Sequence, residues 1–164
     1  MMAPEYYVFF TGRDGERIPR EATHIYVENI AAVRAHAFQG HENIREVICH
    51  DGVEKIEREA FNQCRRLRRV IMPGVKEVER YAFNNCPSLT YIECGKLERI
   101  GEYSFCHCNR LSSIKLPSAK DVEGCAFASC INLKSVSFGK DLESIRRWAF
   151  WDCKEEKTRC SYVT

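Results

Sequence analysis

Ten cysteines and five histidines in 164 residues are the first groups here that could do chemistry. Cys106-His107-Cys108 and Cys49-His50 set thiol beside imidazole, the pairing that ligates zinc or makes a nucleophile with its base. A structural zinc site wants paired clusters at spacings such as C-x₂₋₄-C, and no second matching pair is supplied. A cysteine nucleophile needs an oriented base and a third group, whereas His107 is merely the chain neighbour of Cys106. The phosphate-binding and metalloprotease signatures G-x-x-x-x-G-K-[ST], G-x-G-x-x-G and H-E-x-x-H are absent. Glu54, Glu57, Glu77 and Glu79 fall between apolar positions, where ionised carboxylates face water. The expectation is therefore no catalytic residue, no cofactor and no metal.

Arginine offers a second chemistry. Arg65-Arg66 and Arg68-Arg69 flank Leu67, with Arg45, Arg58 and Arg80 nearby, a set suited to phosphate or another polyanion. Glu42, Glu46, Glu57, Glu59, Glu77 and Glu79 share the same stretch, and aromatic residues do not interleave with the arginines as a base-stacking platform requires. With 25 Lys+Arg against 23 Asp+Glu the net charge is only +2, which gives no steering field. Nucleic-acid or polyanion binding through the Arg65–Arg69 region is the alternative function, not the first.

The elements that position these groups follow from a repeat. Phe recurs at 38, 61, 83, 105, 127 and 150, at intervals of 22 or 23 residues. A small residue precedes each one (Ala37, Ala60, Ala82, Ser104, Ala126, Ala149), and His41, Cys64, Cys86, Cys108, Cys130 and Cys153 follow three later. Ile44, Leu67, Leu89, Leu111 and Leu133 stand six after, and Val47, Val70, Ile92, Ile114 and Val136 nine after. Five of the ten cysteines thus occupy one repeat slot, where a thiol acts as a small hydrophobe in a cysteine-rich core. Cys106, Cys125 and Cys160 have no such packing role.

Segments such as Val70-Ile71-Met72-Pro73 and Val136-Ser137-Phe138-Gly139 alternate and then meet a breaker, which predicts one short strand per unit. One strand cannot bury its own apolar face, but stacked copies make a parallel sheet over a continuous core. The stretch before each Phe, as in Val78–Phe83, has the spacing of a helical or 3₁₀ turn. The string AF-x-x-C-x-x-L-x-x-[VI]-x-x-P, seen from Ala60-Phe61 to Pro73, resembles the BspA-like leucine-rich repeat over residues 25–153. That resemblance implies a curved solenoid and a family of binding modules, some of them adhesive, with no shared catalytic or ligand residues. His41 departs from the pattern in the first unit, and Glu156 and Arg159 depart from it in the sixth.

Three regions result: an N-terminal hairpin cap over 1–24, turning at Asp14-Gly15, the solenoid over 25–153, and a C-terminal tail over 154–164. The tail is charged at Lys154–Lys157, while Tyr162-Val163 could supply a last strand. An uncovered final coil invites self-association or continuation of a longer solenoid. The longest apolar run, Tyr6–Phe10, is far short of the about 20 residues of a membrane helix. No secretory signal pattern and no N-x-[ST] acceptor is seen, which points to an intracellular protein with reduced thiols.

On the outward, concave face of the sheet, alternate positions line up from coil to coil. Tyr26, Ile48, Ile71, Glu93 and Lys115 share one column, and Glu46, Arg69 and Tyr91 share its neighbour. Strands sit about 4.8 Å apart, so Tyr26, Ile48, Ile71 and Tyr91 form an apolar stripe rimmed by charge. Aromatic and aliphatic groups inside a charged rim suit a protein partner. A second stripe two before each Phe (His36, Glu59, Tyr81, Tyr103, Cys125, Trp148) is expected to pack ring on ring between coils.

Overall fold

A computed structural model of the chain describes residues 4–13 and 15–153, and the backbone of 159–162. Among the described residues it is a parallel β-solenoid without helices, built from two ladders of strands. The longer strands are β1 (Tyr7–Phe10), β2 (His24–Val27), β4 (Glu46–Cys49), β6 (Arg69–Ile71), β8 (Tyr91–Glu93), β10 (Ser113–Leu116), β12 (Ser135–Phe138) and β14 (Arg159–Tyr162). Between them come the two-residue strands β3 (Ala32–Val33), β5 (Lys55–Ile56), β7 (Glu77–Val78), β9 (Arg99–Ile100), β11 (Asp121–Val122) and β13 (Ser144–Ile145).

The short strands form one continuous six-stranded sheet. The long strands divide into a five-stranded sheet, β1-β2-β4-β6-β8, and a three-stranded one, β10-β12-β14. Every pairing is parallel, so the coils superpose residue on residue. Inward positions are closed: Val47, Ile56, Cys64, Leu67, Val78 and Phe83 are wholly buried. The core phenylalanines stack face to face from Phe38 to Phe150, with centroids 4.8–5.3 Å apart and planes within 7° of parallel. Gly139 ends β12 where a Cβ would run into the Pro117 carbonyl of the coil below, so the corner admits no side chain.

The turn before and after each Phe is not a helical or 3₁₀ turn. In the second coil Ala60, Asn62 and Cys64 donate their N–H to Glu57, Glu59 and Phe61 at 3.1–3.2 Å, while Glu59, Phe61 and Gln63 donate to Arg80, Ala82 and Asn84 of the next coil at 2.8–3.1 Å. This alternation needs a left-handed residue at every second turn. His36, Glu59, Tyr81, Tyr103, Cys125 and Trp148 two before each Phe, and Gly40, Gln63, Asn85, His107, Ser129 and Asp152 two after, all have φ between 55° and 69°. A helix would direct all its N–H groups along one chain. Here half of them bind the coils together.

The N-terminal hairpin is also corrected. β1 pairs in parallel with β2, Tyr7 opposite His24 and Phe10 opposite Val27, and no strand forms over Glu16–Pro19. The loop closes on itself instead, the Glu16 carboxylate accepting the N–H groups of Thr11 and Arg13 at 3.1 Å. An isolated two-stranded hairpin is marginal in water, whereas β1 laid on the sheet edge buries Phe10 against the Phe38 ring at 4.9 Å. The segment still caps the solenoid, but as its first strand. At the other end β14 pairs with β12, placing Tyr162 opposite Phe138 and Cys160 opposite Val136; Asp14, Lys154–Lys157 and Val163 lie outside the described residues.

Candidate functional site

Alternation along β2, β4, β6 and β8 turns Val27, Val47, Val70 and Ile92 into the core and sends their neighbours outward. The ladders then set Tyr26 opposite Ile48, Ile48 opposite Ile71, and Ile71 opposite Glu93. The adjacent column runs His24, Glu46, Arg69, Tyr91 in the same way. Seven of the eight residues expected on this face therefore share one continuous sheet.

Lys115 does not. Among the described residues no backbone ladder joins β8 to β10, so Lys115 stands across a split from Glu93. Thr90–Gly95, Ser113–Lys115 and Pro117 line a cleft of about 370 Å³ there. Two side chains reach across its margin to backbone carbonyls: the Cys94 thiol faces that of Lys115 at 3.7 Å, and Ser118 Oγ donates to that of Gly95 at 2.8 Å.

Because β1 belongs to the sheet, the stripe is longer than alternation from Tyr26 onward implied. Phe9 lies opposite Tyr26 with ring centroids 5.2 Å apart, and Tyr7 stacks on His24 at 4.7 Å. Tyr7, Phe9 and Tyr91 are 49%, 59% and 47% exposed, the largest open rings on this side. The signal was present in Tyr7-Val8-Phe9-Phe10, which alternates as a strand, but the Asp-Gly turn drew it away from the sheet.

The polar groups of the face are tied to one another. Glu46 receives Arg69 at 3.3 Å and lies 3.6 Å from His24 Nε2, while Arg69 covers the Tyr91 ring at 5.3 Å. Tyr91 donates its hydroxyl to Glu93 at 3.4 Å. Of the arginine cluster, Arg69 is thus engaged with Glu46 and Arg66 donates to Asn43 at 3.0 Å. On the short-strand sheet the charges alternate in sign, Lys55 meeting Glu79 at 2.5 Å and Arg99 meeting Glu77 at 2.9 Å.

The nine described cysteines are free thiols, seven of them buried. Burial pushes Cys49, Cys64 and Cys94 up to about 12, far from a nucleophile's range. Among the described residues no group of three or more His, Cys, Asp or Glu converges as metal ligands. Cys106, left without a packing role by the repeat, is 5% exposed and floors a trough on the turn side. His107 lies on that trough as well, but His50 and Cys49 point to opposite sides of the sheet's end.

A solenoid of stacked parallel strands with a phenylalanine ladder defines a leucine-rich-repeat protein. The chain belongs to the BspA type leucine-rich repeat family, whose repeat region matches residues 31–157 in six copies. It is similar to the T. pallidum leucine-rich repeat protein, with 28% identity and a TM-score of 0.63 over 81% of this chain and 58% of that one. A leucine-rich repeat protein from Eubacterium ventriosum shares the fold at 18% identity and TM-score 0.64, over 83% of this chain and 44% of that one. So does a leucine-rich cell surface protein from Faecalibacterium prausnitzii, at 17% identity and TM-score 0.53, over 87% and 59%. The chain spans less than two thirds of the length of each of these. No curated protein matches it. Among the described residues no helix is long and apolar enough to cross a membrane.

Proposed function

We propose that this chain is a non-catalytic protein-binding module that engages its partner through the outward face of the five-stranded sheet. The observation that carries the reading is the run Phe9, Tyr26, Ile48, Ile71, a continuous apolar column one residue wide across four paired strands. Its flanks are Tyr7, Tyr91 and the Glu46–Arg69 pair, aromatic anchors and a satisfied polar rim of the kind that hot spots use. Glu93 and Lys115 border the cleft at the far end and give an approaching chain both signs of charge. The stacked core holds these groups in place, so little ordering is lost on binding. Free buried thiols fit a reducing, intracellular compartment. Ile71→Asp tests the site: captured partner should be lost while the circular-dichroism spectrum stays that of wild type. Retained capture contradicts it.

A second reading, self-association through the C-terminal coil, is favoured by one contrast. Ile145 is 38% exposed, whereas Val33, Ile56, Val78, Ile100 and Val122 at the same position are wholly buried. Light scattering across a concentration series tests this; a dimer that Ile145→Glu dissociates supports it, and a concentration-independent monomer rejects it.

A further inference from the structure

The turn side carries its own ladder, built by the two residues that stand three and two before each Phe. In the third coil these are Arg80-Tyr81, in the fourth Glu102-Tyr103, in the sixth Arg147-Trp148. Their side chains are engaged within the column. Arg80 pairs with Glu102 on the next coil at 3.1 Å, Tyr81 stacks on Tyr103 at 5.0 Å and 13°, and Arg147 covers the Trp148 ring at 4.3 Å.

The fifth coil breaks the ladder with Gly124-Cys125. It supplies no charge and no ring, so one rung between Tyr103 and Trp148 is missing. The residues one after each Phe widen the gap. Asn62 and Asn84 fill that position earlier and bond to each other at 3.1 Å, but Cys106 and Ala128 replace them here. The result is a trough of about 440 Å³ walled by Tyr103, Trp148 and Trp151 and floored by Cys106, Cys125 and Ala128. Trp148 and Trp151 are 56% and 61% exposed at its edge. Asp152, close to the rim, is engaged by the Ser129 hydroxyl at 3.2 Å.

We propose that this notch binds a planar aromatic carboxylate. The ring would occupy the vacant rung, two coils separating Tyr103 from Trp148, where the intact column spaces its rings 5.0 Å apart. The column three before each Phe reads Arg80, Glu102, Gly124, Arg147. The carboxylate would stand at the Gly124 place, between Glu102, which Arg80 neutralises at 3.1 Å, and Arg147, whose guanidinium lies over the Trp148 ring at 4.3 Å. The volume lies within the range of small-molecule sites and suits one or two fused rings. Stacking on two faces supplies the affinity and the guanidinium supplies the choice of an acid over its neutral analogue.

The repeat itself supplies the test variant. Tyr81, Tyr103 and Cys125 have φ of 58°, 55° and 56°, so Cys125→Tyr installs a residue that this backbone position already carries twice. Calorimetric titration of the whole chain with 2-naphthoate should give saturable 1:1 binding, quenching emission from the chain's two tryptophans, both of which line the trough. Cys125→Tyr should weaken it by about tenfold or more with a melting temperature no lower than wild type. Arg147→Gln should abolish the preference for 2-naphthoate over 2-naphthylmethanol. Equal affinity in Cys125→Tyr, or no saturable binding by the wild type, overturns the proposal.

Discussion

The Sγ of Cys86 donates to the carbonyl oxygen of Phe61 on the preceding coil at 3.2 Å. The contact recurs from Cys64 to Phe38, Cys108 to Phe83, Cys130 to Phe105 and Cys153 to Phe127, at 3.0–3.4 Å. His41, which replaces cysteine in the first unit, reaches back in the same way to the Pro19 carbonyl at 3.0 Å. The slot therefore asks for a small, weakly polar donor that can be buried, and cysteine meets all three conditions. Cys86→Ala should cost about 1–2 kcal/mol, from lost burial and the lost thiol bond. Urea denaturation reads it, and an unchanged midpoint would show the contact to be incidental.

Ser104 is the one serine in a slot otherwise held by alanine, wholly buried with its hydroxyl unbonded among the described residues. Removing an unsatisfied hydroxyl recovers its desolvation cost. Ser104→Ala should raise stability by about 1 kcal/mol, visible as a higher melting temperature. A lower one would mean the hydroxyl has a partner.

Asn85 sits at φ 56° and donates its N–H to Cys106 of the next coil at 2.8 Å. A β-branched side chain resists the left-handed region. Asn85→Val should therefore destabilise by about 1–2 kcal/mol and Asn85→Gly should not. If both variants unfold at the same denaturant concentration, the left-handed turn is not what sets the spacing.

Acid should weaken the short-strand sheet. The hydrogen bond from Arg99 at 2.9 Å, with the charges of Arg99 and Lys55, holds the Glu77 carboxyl below its ordinary 4.5. A carboxylate depressed in the folded state contributes stability above its unfolded pKa and loses it as pH falls through the folded value. Melting temperature should thus drop as pH is lowered from about 4.5, and Glu77→Gln should flatten that slope. An equal slope in the variant would place the acid sensitivity elsewhere.

Much of this architecture is legible in the chain because every core slot repeats one residue type. Phe61, Phe83 and Phe105 announce the period, and Val70 and Ile92 announce the strands. The left-handed turns are not legible, since Glu59, Tyr81 and Trp148 have no local preference for positive φ. Hydrogen bonds between coils impose it, and those exist only once the neighbour is in place. The β8–β10 split is equally silent, because Tyr91-Ile92-Glu93 and Ser113-Ile114-Lys115 alternate identically on either side of it. The last strand pairs one residue out of the repeat's count, Cys160 and not Arg159 standing opposite Val136. On the candidate face, Tyr26, Ile48, Ile71 and Tyr91 could be placed from alternation alone, while Tyr7 and Phe9 needed the pairing of β1.

The most direct test of the binding face is nuclease-treated affinity capture from native lysate with three baits, read by mass spectrometry. These are the wild type, an I48S/I71S/Y91S variant, and an R65S/R68S control. A protein retained by wild type and control but lost from the triple variant is the predicted result. A partner list unchanged by the triple variant, or emptied by the arginine control, would contradict the account and move the site off the sheet.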